Sequence, residues 1–217
     1  MTSFRRLRGF LAFAVAVALL PVFFPDNYFV TVVGVTIGFN IVLAVGLNLF
    51  IGYAGQISLG HAAFFGMGAY ASAILTTRYG WSPWLAMAFG LAVVYVVATV
   101  ISRPILKLKG HYLAMATLGF GIIVNIIMVQ ATNWTGGPDG MGGIPSLSLF
   151  GHVIDSDLEW YAVMTVVVLA TVLVSLNIID SRAGRALRAV HGSEVAAQTM
   201  GVDTARTKSQ IFVFSAL

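Results

Sequence analysis

Polar groups able to act on a solute are few in this chain, and they gather in two places. The first is residues 52–61, GYAGQISLGH, where Gln56, Ser58 and His61 offer hydrogen-bond donors and acceptors among Gly52, Gly55 and Gly60. This stretch is too polar and too rich in glycine to be an ordinary helix end, and it reads as a helix break. Irregular backbone at membrane depth is tolerated only where it is buried in protein or faces a water-filled cavity, and glycine lets a backbone approach a solute or another helix closely. Recognition of a zwitterionic solute along a path lined by Gln56, Ser58, Gly60 and His61 is the chemistry this implies. The competing reading is a cytoplasmic turn with an internally satisfied histidine.

The second place is residues 180–208. Arg182, Arg185 and Arg188 recur every three residues, while Ala186, Leu187, Val190 and Val195 form an interrupted apolar surface. The pattern predicts a short amphipathic helix, a break around Gly192, a second helix from Ser193 and an end at Gly201. Such a pair fits a groove on a soluble partner or lies on anionic lipid headgroups. Catalytic clusters are not apparent: there is no cysteine, hence no disulfide, thiolate or cysteine metal site. His61, His111, His152 and His191 are scattered, where a membrane enzyme would gather His, Asp or Glu at one depth.

The elements that carry these segments follow from composition. Of 217 residues 59% are hydrophobic and 9% charged, with a mean hydropathy of +0.92, outside the range of soluble domains. A membrane helix needs about 20 apolar residues, and stretches of that kind fall at 10–24, 29–51, 62–77, 84–101, 112–131 and 160–179, with a seventh starting at Gln210. The absence of polar alternation favours helices over an outer-membrane barrel. The fold class is therefore all-α: a single polytopic membrane bundle over 1–217, with six complete transmembrane helices and the start of another. The chain stops at Leu217, a few residues into that seventh helix, and is expected to be incomplete at its C-terminus.

With the N-terminus in the cytoplasm, Arg5, Arg6, Arg8, Arg103, Lys107, Lys109 and the basic residues of 180–209 all fall inside. Outside lie Arg78 together with Asp26, Asp139, Asp155, Asp157 and Glu159, as the positive-inside bias requires. The first span, three arginines and an apolar run, also fits a signal peptide, but it ends Pro21-Val-Phe-Phe-Pro25 with no small-x-small cleavage site. The net charge of +4 lies in short clusters between spans, so it orients the protein and does not mark a nucleic-acid binder. No Asp or Glu falls within the six spans, which disfavours an ion-coupled secondary transporter. Gly34 and Gly38 form a GxxxG pair for close helix packing, as do the small residues from Ala62 to Ser72. Asn40, Asn48, Asn125 and Gln130 need partners inside the bundle, as glue or as path lining. The loop at 135–145, TGGPDGMGGIP, is a tightly turned mouth on the outer side. It is not a phosphate-binding loop, because no Gly-Lys-Ser/Thr follows.

Taken together, GYAGQISLGHAAFFGMGAY at 52–70, KGHYLAMATLGFG at 109–121, TGGPDGMGGIP at 135–145 and the inside loop at 181–216 resemble the LivM-type permeases of branched-chain amino-acid ABC importers. Permeases of ABC importers carry a coupling loop of the form Glu-Ala-Ala, three residues, Gly, nine residues, Ile-x-Leu-Pro. Ala196, Ala197, Gly201 and Ile211 sit at those spacings; Glu194 stands one place early, and Val213-Phe214 replaces Leu-Pro. The resemblance implies an ATPase-coupling role for Arg185, Arg188, Glu194, Ala196, Ala197 and Gly201. It also implies an inner-membrane location and partners: two ABC ATPase subunits, a second permease, a periplasmic solute-binding protein and membrane lipid. No cofactor is expected on this chain, with ATP and Mg held by the ATPases. Urea, short amides and aromatic acids stay open beside leucine, isoleucine and valine as solutes.

Overall fold

A bilayer offers no hydrogen bonds to the backbone, so long apolar stretches must satisfy their own N–H and C=O groups as helices. The computed structural model describes residues 2–23, 28, 33–149 and 152–217; Phe24, Pro25, Asp26 and the predicted opening of the second span at Phe29 lie outside them. Each of the six apolar stretches is helical: α1 (Thr2–Phe23), α2 (Val35–Asn48), α3 (His61–Tyr79), α4 (Pro83–Ile105), α5 (His111–Gln130) and, after a short α6 (Thr132–Thr135), α7 (Asp157–Asp180). A π-helical turn, Leu49–Tyr53, prolongs α2. Among the described residues four segments are long and apolar enough to cross a membrane: Val35–Tyr53, α4, α5 and α7, with mean hydropathy from 2.0 to 2.5. The apolar part of α1 is the shorter Gly9–Pro21, and α3 is diluted by glycine, serine and threonine.

Three further helices follow: α8 (Arg182–Gly192), α9 (Glu194–Thr199) and α10 (Thr204–Ala216). The helix, break and helix predicted around Gly192 and Ser193 are present. The seventh helix, however, starts at Thr204 and not at Gln210, so a loop drawn over 180–209 runs into it. Its polar first turns gave no apolar signal, yet Asp203 caps them by accepting from the Arg206 N–H at 2.9 Å.

Small residues decide which helices touch. α3 packs most extensively on α4, where a Cβ on Gly90 would come within 2.9 Å of the Gly68 carbonyl oxygen. α2 packs on α7, with Gly38 under the Met164 side chain, and Gly34 lines an apolar cavity of about 100 Å³ between α1, α2 and α7. The most tightly buried cluster joins the π-turn to α3, α4, α8 and α10 through Phe50, Phe64, Ala98, Leu187 and Phe212. Elsewhere large apolar side chains such as Val96, Ile123 and Val166 face outward, as a lipid-facing surface requires.

Hydrogen bonds fix the two ends of the bundle. Trp84, in the first turn of α4, donates its indole N–H to the Ser148 carbonyl at 2.7 Å, and Ser148 belongs to a small hairpin, β1 (Ser148–Leu149) with β2 (His152–Val153), that leads into α7. At the opposite end Ser102, near the close of α4, lies 2.8 Å from Ser209 of α10, Oγ to Oγ. The Tyr161 hydroxyl donates to the Val17 carbonyl at 2.6 Å, so the last turns of α1 lie beside the first turn of α7 and α1 starts at the α8–α9 end. Arg103, Lys107, Lys109, Arg182, Arg185, Arg188 and Arg206 crowd that end, whereas Asp139, Asp155, Asp157 and Glu159 with Arg78 lie at the other.

Candidate functional site

The helix predicted to break does so in three steps. The π-turn widens the helix, Gly55 turns the chain at φ +67°, and residues 56–60 run without helix until α3 begins at His61. The Gln56 amide N–H₂ donates to its neighbour, the Ala54 carbonyl, at 3.2 Å. Ser58, 3% exposed, places its Oγ 2.9 Å from His61 Nδ1, and His61 Nε2 lies 2.8 Å from Ser215 Oγ on α10. The Ser215 hydroxyl donates to the Phe212 carbonyl at 2.9 Å. A hydroxyl has one hydrogen to give, so a neutral ring with its proton on Nε2 meets all three contacts. Phe50, Phe64 and Phe212 surround the imidazole at 5.8 Å between centroids.

Gly60 is where the break meets α5. A Cβ there would stand 2.0 Å from the Thr117 carbonyl oxygen, and a Cβ on Gly121 would stand 3.2 Å from the Gly60 Cα. The Leu59 N–H donates to Thr117 Oγ1 at 3.0 Å, which satisfies a backbone group the break would otherwise leave open. The four residues predicted for a solute path are thus together in one segment. Ser58, Gly60 and His61 are held by α5 and α10, and Gln56 turns its amide onto its own backbone. A cleft of about 280 Å³ lined by Tyr95, Thr99, Ser209 and Gln210 lies between α4 and α10.

The α8–α9 pair is built by serine caps. Ser181 Oγ accepts from the N–H groups of Ala183 and Gly184, and Ser193 Oγ accepts from the Ala196 N–H at 3.2 Å. The turn from α7 into α8 is so tight that a Cβ on Gly184 would lie 2.1 Å from the Ile179 carbonyl oxygen. Leu187, Val190 and Ala197 point inward. Arg188 donates to the Ile179 carbonyl at 3.1 Å and Arg185 to the Asp180 carbonyl at 3.4 Å, which places both charges on the negative end of the α7 dipole. Gly201, at φ +82°, closes α9. Outward stand Val195, 69% exposed, and Met200, 84% exposed. His191 covers Gly55, so α8 touches the break directly.

An ion pair also binds this pair to the bundle. Lys208 of α10, 3% exposed, donates from Nζ to Glu194 Oε1 at 2.7 Å. The Gln198 amide donates to Thr204 Oγ1 at 2.8 Å beside it. The Lys208 hydrogen bond holds the Glu194 carboxyl below its ordinary range, against an opposing push from burial, and Lys109 adds its charge. At the other end of the bundle Arg78 donates to the Asn133 carbonyl and lies over the Trp134 ring at 5.3 Å. Thr135 Oγ1 accepts from the Gly137 N–H and donates to the Met128 carbonyl, tying the glycine-rich loop to α5. Trp81, Trp84, Trp134 and Trp160, all the tryptophans of the chain, lie at this end, as an interfacial aromatic belt would.

A helical bundle with a broken second span and a capped helix pair at its basic end is the setting for the comparisons with known proteins. Residues 28–217 match the family described as the permease component of the branched-chain amino acid transport system. The chain belongs to that family. It is 31% identical over 199 residues to the permease protein LivM of the high-affinity branched-chain amino acid transport system of Salmonella typhimurium, and equally to that of Escherichia coli. Each alignment covers 81% of this chain and 47% of the relative, so the chain spans about half the length of the curated relatives it matches. No solved structure gives a significant match.

Within this permease fold several positioning residues escape sequence reasoning. Lys208, Ser215, Thr117 and His191 lie within segments that carry the resemblance, but each is a single polar residue whose partner the sequence does not mark. Lys208 carried one signal, a lone lysine in the opening turns of a helix whose later turns are apolar. Glu194, for which the resemblance implies an ATPase-coupling role, pairs its carboxylate with Lys208 of α10.

Proposed function

We propose that this multi-pass membrane permease is a translocation subunit of an ATP-driven importer for leucine, isoleucine and valine in the bacterial inner membrane, with its N-terminus in the cytoplasm. The α8–α9 pair carries the reading. Val195 and Met200 project from it at the basic end of the bundle, where apolar side chains outside the membrane are informative because water surrounds them. A cleft on an ABC ATPase subunit receives this surface. The concentration of Arg and Lys at the same end supports its cytoplasmic placement. ATP and Mg²⁺ are held by the ATPase subunits, and a second permease, a periplasmic solute-binding protein and surrounding lipid complete the assembly.

Transport follows alternating access. The break of Gln56, Ser58, Gly60 and His61 is the part of the path that rearranges: its irregular backbone has several ways to be satisfied, whereas a regular helix has one. The α8–α9 pair, with Arg185, Arg188, Glu194, Ala196, Ala197 and Gly201, sets its position. The test is ATPase activity of the complete complex in lipid with its binding protein, titrated with leucine, isoleucine, valine, urea and an aromatic acid. Stimulation by the branched-chain residues, lost when Val195 and Met200 are both changed to Asp, is the expected result. Stimulation by urea alone would overturn the solute, and none with any solute would overturn the importer.

A further inference from the structure

The α8–α9 pair and the helix break are joined by one face of α10. Lys208, Ile211, Phe212 and Ser215 follow one another at i, i+3, i+4 and i+7, the spacing of a single helix face. Each makes a buried or half-buried contact. Lys208 grips Glu194 of α9 at 2.7 Å. Phe212 packs edge-on to Phe50 and Phe64. Ser215 meets His61 at 2.8 Å, and His61 in turn meets Ser58.

Resting on the importer reading above, we propose that α10 is the rigid link that carries movement of the α8–α9 pair to the helix break, clasped to α9 by Glu194–Lys208 and to the break by His61–Ser215. Lys208 and Ser215 are seven residues apart, about 10 Å along a helix. Both clasps resist separation. Pulling α9 from α10 leaves an ammonium buried without its counter-charge, and pulling Ser215 from His61 strands two hydrogen-bonding groups among phenylalanines. Movement of α9 therefore drags α10, and α10 drags Ser58 and the segment bonded to Thr117. Glu194 and Lys208 are positioning residues on this account: they act through α10 and touch neither solute nor nucleotide. The direct contact of His191 with Gly55 is the competing route, but an exposed ring resting on a glycine can slide.

The test uses the complete transporter in nanodiscs with its binding protein and leucine, reading the ratio of leucine-stimulated to basal ATP hydrolysis. Amide exchange of residues 55–61 is read in the same samples. Lys208→Met and Ser215→Ala are each expected to lower the ratio roughly two- to thirtyfold, the span of coupling changes produced along such links. Because they lie on one link, the double variant is expected to be no worse than the stronger single one. Lys208→Met is expected to speed exchange at 55–61, although it touches none of those residues. Glu194→Lys with Lys208→Glu is expected to recover part of the ratio. Unchanged ratios in both single variants, fully additive losses, or a loss confined to His191→Ala would each overturn the link. If Lys208→Met does not assemble, Ser215→Ala, which removes one hydroxyl, decides alone. If the wild-type complex shows no leucine stimulation, the importer reading fails, and exchange at 55–61 without nucleotide still decides whether α10 holds the break.

Discussion

Gly60→Ala isolates the docking of the helix break on α5. Gly60 has φ −110° and ψ 11°, a conformation open to any residue, so alanine suffers no backbone strain there and the whole effect comes from space. Its Cβ would stand 2.0 Å from the Thr117 carbonyl oxygen, 2.9 Å from the carbonyl carbon and 3.4 Å from the Gly121 nitrogen. All three are backbone atoms of α5, which cannot rotate away as a side chain would. The break must retreat by more than an ångström. Overpacking of this kind costs about 1–3 kcal/mol, and the Leu59 N–H to Thr117 Oγ1 bond, which the retreat lengthens, contributes about 1 kcal/mol more. The expected loss is about 2–4 kcal/mol, measured by denaturant titration of the purified protein in lipid bicelles. Gly119→Ala is the control, two residues along the same helix from Thr117. Nothing lies within 4 Å of its Cβ, so alanine there is expected to be neutral or stabilising by up to about 1 kcal/mol through helix propensity. A Gly60→Ala protein as stable as wild type, or two variants that behave alike, would refute the close approach.

Other expectations can be checked on the same preparation. The Glu194 carboxyl is held below its ordinary 4.5 by Lys208, so its contribution is complete above that value and is lost as pH falls through the lower folded value; Glu194→Gln is expected to flatten this acid-side decline in the unfolding midpoint. Arg78→Ala removes a cation–π contact and a hydrogen bond to the Asn133 carbonyl, worth about 1–2 kcal/mol together. It is expected to speed proteolysis within residues 131–145, and Arg78→Lys, which lacks the planar donors, restores protection only in part. Ser193→Ala is expected to cost about 1 kcal/mol and to raise amide exchange at Ala196 with little change in α7, while equal exchange would argue against the cap.

The broad architecture is legible because each level of the sequence repeats the same message. Apolar runs give the spans, Arg and Lys cluster at one end, and Ser193 with Gly201 brackets α9 to within two residues. Legibility stops where a contact joins distant segments. Ser215 has no neighbour that announces His61, 154 residues away, and Thr117 is one threonine of many until Gly60 is laid against it. The start of α10 escaped for a related reason: Thr204 to Ser209 is polar, and the Asp203 cap, the Glu194–Lys208 pair and the Ser102–Ser209 contact support helix there, the last two through partners the local pattern does not show.

Burial is distributed unevenly, and this has a mechanical consequence. Lipid is as apolar as leucine, so no hydrophobic force drives helices together inside the bilayer. Dense packing can be driven by water only where the chain leaves the membrane, and the cluster of Phe50, Phe64, Leu187 and Phe212 lies at the α8–α9 end. At the opposite end the ties include single polar contacts, Arg78 on the Asn133 carbonyl and Trp84 on the Ser148 carbonyl. A force applied at the packed end moves that end as one body. The polar ties at the other end yield first, because each contributes about 1 kcal/mol and water can replace it. Loosening Phe212 to Ala should erase that gradient of stiffness: amide exchange would then rise at the α8–α9 end to match the glycine-rich loop at 135–145, whereas a bundle of uniform stiffness would show no such convergence.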